Sequence, residues 1–123
     1  MSEQQAKVTE FHQKLGFTIN ETPTLVPVGL GMIRHKDTLK EMDELARAIL
    51  NGDLVEIADA LGDVKYLIRG TAVTYGIPID RVFDEIHRSN MTKERPPGGG
   101  DAKAVKGKDY SPPDLSFILS EAR

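Results

Sequence analysis

The sequence has no cysteine and no tryptophan among its 123 residues. Lack of cysteine excludes disulfide scaffolds, thiolate zinc sites and thiol nucleophiles. There is no run of 18 apolar residues, and the opening "MSEQQAKVTEF" lacks the apolar stretch of a signal peptide. The expectation is a soluble cytoplasmic protein with no membrane partner. Positive charge is not in excess: 16 Lys and Arg stand against 19 Asp and Glu, for a net charge of −3. That balance argues against a protein that grips a nucleic acid polymer through its phosphates. Internal repeats and strand-like alternation of useful length are also missing. "GGGDAKAVKGK" is not a phosphate-binding P-loop, because its spacing is wrong, no Ser or Thr follows the lysine and no strand precedes it.

What remains is helical periodicity. At this length the chain is most simply one domain. Residues 3–15 carry Val8, Phe11, His12 and Leu15 at helical spacing, with Gly16 as a stop. Residues 17–29, "FTINETPTLVPVG", hold two prolines and almost no charge, which predicts an ordered, extended connector. A helix follows over about 31–50, with Met32 or Ile33, Leu39, Met42, Leu45, Ala46 and Ile49 as its apolar side, broken by "NGD" at 51–53. Asp53 is positioned to cap a helix over 54–75, with Glu56 completing a capping box. Leu54, Ile57, Ala58, Leu61, Val64, Ile68, Ala72 and Tyr75 are its expected buried face. "IPIDRVFDEIHRSNM" reads as a fourth helix, capped by Asp80, with Val82, Phe83 and Ile86 inward. "ERPPGGGDAKAVKGKDYSPPD" reads as irregular, and Asp114 as the cap of a last short helix. The predicted class is all-α, a four-helix-bundle-type fold with an irregular C-terminal tail. The helical domain covers 1–95, and the tail, 96–123, packs on or near the active site as part of the same domain.

The acids of the two central helices carry the chemistry. Glu41 and Glu44 share one face, and Glu56, Asp59 and Asp63 form a line on the next helix. None has a downstream basic partner at i+4, and Lys40 reaches Glu44 only in the weaker orientation. A short turn makes the helices antiparallel neighbours, so the two acidic stripes can face each other. A solvated face would normally mix signs. These acids also abut apolar positions, where like charges are costly without a positive partner. A hard divalent cation with oxygen ligands is the simplest such partner, and Mg²⁺ commonly spends its remaining positions on substrate phosphates.

Glu41-x-x-Glu44, followed by Glu56-x-x-Asp59 and Asp63, resembles the ExxE…ExxD signature of the all-α nucleoside triphosphate pyrophosphohydrolases. "GIPIDRVFDEIHRSNMTK" and "KAVKGKDYSPPDL" are similar to the closing segment of the MazG-like, phosphoribosyl-ATP-pyrophosphohydrolase-like branch. The resemblance spans roughly residues 8–115. Lys40 stands where many members have a glutamate. Alignment on "GDVKY" makes Asp63 the motif aspartate and leaves Ala60 at the glutamate position, whereas alignment on Glu56-x-x-Asp59 restores the motif. Either register builds a site on one helical face.

The resemblance implies a Mg²⁺ site (or Mn²⁺) formed by Glu41, Glu44, Glu56, Asp59 and Asp63, with Glu41 as general base. Water would attack the α-phosphorus of a nucleoside triphosphate and release pyrophosphate. It further implies that Asn90 and Lys93 reach the nucleotide or its phosphates, against a plain role in ending their helix. Lys106 and Tyr110 belong to a tail that is either solvated or a flap over a site. His12, His35 and His87 lack zinc-ligand spacing, and "DEIH" at 84–87 is a single copy of a pattern that di-iron bundles need twice. Two function classes follow: a metal-dependent nucleotide pyrophosphohydrolase, with phosphoribosyl-ATP as the rival substrate, and a non-catalytic acidic helical interaction module. Uncovered apolar surface points to self-association as a dimer or a dimer of dimers.

Overall fold

In the computed structural model, which describes residues 2–123, the described residues form five helices and no strand. These are α1 (Glu3–Leu15), α2 (Val28–Leu50), α3 (Leu54–Tyr75), α4 (Ile79–Asn90) and α5 (Leu115–Glu121). The helix packing is that of a helical bundle. The chain divides into two compact units, Met1–Ile77 and Pro78–Arg123, so that α4 groups with the C-terminal segment.

In the first unit, α2 and α3 form an antiparallel hairpin with the densest helix contact of the chain, and α1 lies along α3. The hairpin turn follows from three residues. Gly52 takes φ of 63°, a left-handed conformation natural to glycine. Its N–H donates to Ile49 O at 3.1 Å, and Asp53 N–H donates to Ala48 O at 3.2 Å. Asp53 then caps α3 by accepting from Glu56 N at 3.1 Å, as the sequence indicated. Helix α2 starts at Val28, three residues before the expected position. Gly31 looks like a breaker in sequence but serves a close approach, since a Cβ there would collide with the Tyr75 hydroxyl.

The connector after α1 is ordered because it caps the end of α3. The last carbonyls of a helix have no intrahelical donor. Here Asn20 N donates to Val73 O (3.1 Å), Asn20 Nδ2 to Thr74 O (2.7 Å) and Thr24 N to Tyr75 O (2.8 Å). Gly76, at φ 70°, turns the chain away under the Thr22 carbonyl.

The buried positions correct the expected core. Fully buried apolar residues are Val8, Ala48, Ala60, Ala72 and Val73, mostly small side chains that let helices approach closely. Leu54 and Leu61 of α3, and Leu39, Met42 and Ile49 of α2, are exposed in the single chain. The periodicity located an apolar side correctly but not what covers it. A polar seam instead holds α1 on α3: Gln5 Nε2 donates to Arg69 O at 3.1 Å, and Arg69 Nη1 returns to Gln5 Oε1 at 3.0 Å.

Gly70 marks the third contact. Arg34 reaches across from α2, its Nη2 donating to Leu67 O at 2.8 Å and its Nε to Thr71 Oγ1 at 3.2 Å. A Cβ at Gly70 would strike that guanidinium and come within 3.0 Å of His12 Nε2. His12 is 2% exposed and donates from Nδ1 to Thr18 O at 3.1 Å, a direction required because a carbonyl can only accept.

In the second unit, α4 begins behind Pro78, which leaves Asp80 in its first turn and not at its cap. Phe83 is exposed, contrary to expectation, while Val82 and Ile86 are half-buried. The segment after α4 is tied down. Arg88 binds Glu85 through two bonds, at 2.8 and 3.0 Å, and also donates to Ser111 Oγ and Pro112 O. Ser89 Oγ donates to Ser111 O (2.8 Å), and Ser111 N to Thr92 Oγ1 (2.9 Å). Glu94 and Val105 exchange backbone bonds at 2.8 and 3.0 Å, closing the glycine-rich loop between them. Asp114 caps α5 by accepting from Phe117 N at 3.1 Å. With Arg88 and the Asp114 N–H bound to it, the Glu85 carboxyl is held down at about 2.

Burial pushes the His12 pKa below its usual value; the Thr18 bond opposes that shift and the Arg34 charge adds to it. The unfolded chain therefore takes up this proton first as pH falls. Stability is complete above about pH 6.5 and declines below it, by at most about 1.4 kcal/mol per pH unit for one proton. Urea midpoints across this range should fall more steeply for the wild type than for His12→Asn; superimposable pH profiles would contradict the assignment.

Candidate active site

The α2–α3 hairpin sets Glu41 within electrostatic reach of Asp63. Glu41 and Asp63 stand equally far along the chain from Gly52, and antiparallel packing sets them at one level. Glu41 responds to that setting, its carboxyl pKa being raised. The largest cause is a hydrogen bond with Glu44, followed by burial and then the charges of Glu44 and Asp63; Lys40 opposes them weakly.

One atom stands apart. Glu41 is partly exposed as a residue, but its Oε2 is shut off from solvent and has no hydrogen-bond partner. Buried acceptors are nearly always satisfied, and an orphan calls for a reason such as an ion. Across the hairpin stands Ala60, 3% exposed, with a methyl in place of another carboxylate.

The other predicted acids differ in setting. Glu44 is half-buried beside Glu41, whereas Glu56, Asp59 and Asp63 are exposed on α3. Asp63 bears on Glu41 electrostatically, and Asp59 and Glu56 lie about one and two turns nearer the hairpin end. Among the described residues, no group of three His, Asp or Glu side chains is gathered closely enough to hold a metal ion by itself. Mg²⁺ does not need such a cage, because it commonly uses one or two carboxylates, several waters and substrate phosphates. The hard-oxygen donors and the orphaned Oε2 of Glu41 fit that mode.

The predicted nucleotide-contacting residues all belong to the second unit. Asn90 is the last residue of α4 and exposed, and Lys93 is half-buried just beyond it. Lys106 Nζ lies 5.2 Å from the centre of the Tyr110 ring, a cation–π contact. The reading of "HRSNMTK" missed Arg88, Ser89 and Thr92, which hold the following segment in place. Their partners lie some twenty residues downstream, at a distance that local periodicity does not reveal.

The chain is thus all-helical over its described residues, with acidic residues on both helices of an antiparallel pair and one orphaned carboxylate oxygen among them. A comparison with family models matches phosphoribosyl-ATP pyrophosphohydrolase over residues 8–90, and the chain belongs to that family. The family's activity is pyrophosphohydrolysis of a nucleotide phosphoanhydride bond, and its members typically depend on a divalent metal. No curated protein matches the chain. Among the described residues, no helix is long and apolar enough to cross a membrane.

The crowding around Glu41 predicts how the metal-free protein behaves. Glu41→Gln removes the repulsion and should raise the melting temperature measured in chelator. Mg²⁺ should raise that of the wild type and leave that of the variant nearly unchanged. Equal Mg²⁺ shifts in the two proteins would separate Glu41 from any cation site.

Proposed function

We propose that the protein is a cytoplasmic Mg²⁺-dependent nucleoside triphosphate pyrophosphohydrolase, with Mn²⁺ able to replace Mg²⁺. It converts a (deoxy)nucleoside triphosphate to the monophosphate and pyrophosphate. The observation that carries this reading is the buried, unpartnered Oε2 of Glu41, set against Glu44 and facing Asp63 across the hairpin.

Glu41, Glu44 and Asp63 would hold the ion, with Glu56 and Asp59 extending the acidic line toward the turn, and Mg²⁺ bound there would supply positive charge to the triphosphate oxygens and the leaving pyrophosphate. Glu41 accepts the proton of the attacking water. The water oxygen bonds to the α-phosphorus, the bond from that phosphorus to the α–β bridging oxygen breaks, and pyrophosphate carries away the electron pair. Asn90, Lys93, Lys106 and Tyr110 are assigned to the nucleotide and its phosphates, by charge-assisted hydrogen bonds and an aromatic face.

The family match itself favours a second substrate, phosphoribosyl-ATP, in which the same anhydride bond would be cut. Pyrophosphate release from a nucleoside triphosphate panel that includes phosphoribosyl-ATP decides between them. Activity should require a divalent cation, and Glu41→Gln or Glu44→Gln should lower it at least about a hundredfold with helicity retained. Release from none of the substrates would favour the acidic interaction module.

Self-association belongs to the same proposal. Leu39, Met42, Ile49, Leu54, Val55 and Leu61 are all exposed on the α2–α3 hairpin. Exposed apolar residues gathered on one helix pair point to an interface, and symmetric closure with a second copy is its common resolution. Light scattering at micromolar concentration should give a dimer or a dimer of dimers; a monomer would refute this.

A further inference from the structure

The turn at Asn51–Asp53 closes one end of the α2–α3 hairpin. Beyond the acids, on the side away from that turn, Arg34 ties α2 to α3. The residue is half-buried. Its Nη2 donates to Leu67 O at 2.8 Å and its Nε to Thr71 Oγ1 at 3.2 Å. The Thr71 hydroxyl donates its own proton to Leu67 O, at 3.1 Å, which leaves a lone pair for Arg34. Gly70 keeps the path clear, because a side chain there would meet the guanidinium.

The bridge and the acids are in register. Arg34 precedes Glu41 by seven residues, and Gly70 follows Asp63 by seven. Seven residues make about 10 Å of helix and end within about 20° of two full turns. Arg34 and Glu41 therefore share the side of α2 that meets α3. The antiparallel pairing that sets Glu41 level with Asp63 also sets Arg34 level with Gly70. Asp63 bears on Glu41 from the opposite helix, a repulsion that separation of the helices would relieve. The unpartnered Oε2 of Glu41 lies in the same place. A guanidinium is suited to resist that separation, since it stays charged and presents its donors in a rigid fork. Hydrogen bonds from a charged donor are also about twice as strong as neutral ones.

We propose that Arg34 is a positioning residue for the acidic site. Its bridge to Leu67 and Thr71 holds α2 against α3 two turns beyond Glu41 and Asp63, and that closeness tightens their hold on a divalent cation. The part that concerns the cation rests on the hydrolytic reading above. Arg34 stands about 10 Å along the helix from Glu41, too far to touch an ion held there, and acts through the spacing of the helices. Two effects of opposite sign follow. Without a cation, the bridge keeps the carboxyls closer than they would otherwise stand, so neutralising Glu41 relieves more repulsion when the bridge is intact. With a cation, that closeness is already in place, so less ordering accompanies binding.

The test is a double-mutant cycle in the full-length protein. Unfolding free energies are measured by urea titration in chelator for the wild type, Glu41→Gln, Arg34→Met and the double variant. Residues about 10 Å apart that share no partner normally contribute additively. Here Glu41→Gln should stabilise the wild type more than it stabilises Arg34→Met. By calorimetry, Arg34→Met should weaken Mg²⁺ binding at least about threefold. Arg34→Lys, which keeps the charge but not the fork, should fall between that variant and the wild type. In turnover, the Mg²⁺ concentration for half-maximal rate should rise by the same factor, with the rate at saturating Mg²⁺ within about twofold of the wild type. Thr71→Val removes one acceptor and leaves every charge in place, so it carries the same comparisons, with smaller effects, if Arg34→Met fails to fold. Additive free energies together with Mg²⁺ binding indifferent to these variants would overturn the role of the bridge. A wild type that binds no Mg²⁺ would overturn the cation half along with the hydrolytic reading, whereas additivity in a protein that does bind Mg²⁺ would overturn the bridge alone.

Discussion

The molecule depends on one electrostatic constraint, the enforced closeness of like-charged carboxyls across the α2–α3 hairpin. The turn at Asn51–Asp53 is too short to let the helices separate, and the buried Ala48 and Ala60 hold them together along the seam. Glu44 stands one turn along α2 from Glu41, Asp63 bears on it from α3, and together with burial they raise its carboxyl pKa. The strain is local, while the structures that impose it are spread over the first unit. The connector that closes the end of α3, the Arg34 bridge over Gly70 and the docking of α1 all fix where α3 stands.

Much of this was legible in the chain. The limits of α1 and α3, and the capping roles of Asp53 and Asp114, followed from periodicity and from side chains that can satisfy free N–H groups. The acidic stripes were legible because charge patterning on a helix is a one-dimensional signal. Three things were not. The early start of α2 was hidden by Gly29 and Gly31, whose composition reads as loop, although Gly31 only makes room for Tyr75. The exposed Leu54, Leu61 and Phe83 carry the same periodicity as buried residues, and periodicity cannot say whether the covering surface belongs to the same chain. The Arg88–Ser111–Pro112 bonds join residues separated by a loop of glycine and proline, and only the fold brings them together.

The second unit shows how an apparently structureless stretch becomes ordered without a core. Apart from Ser89, none of its residues is fully buried. Arg88 bridges a carboxylate, a hydroxyl and a carbonyl, while Ser89 and Thr92 engage Ser111. This polar stitching sets the segment that carries Lys106 and Tyr110 against the end of α4.

Helix α3 is electrically two-sided, with carboxylates on one flank and Lys65 and Arg69 on another. A helix turns by about 100° for each residue. Inserting or deleting a single residue before Asp63 would therefore rotate every later side chain by more than a quarter turn against the earlier ones, taking Asp63 out of line with Glu41 and Gly70 out from under Arg34. The length of this helix between Asp53 and Gly70 is as constrained as the absence of a side chain at Gly70 itself.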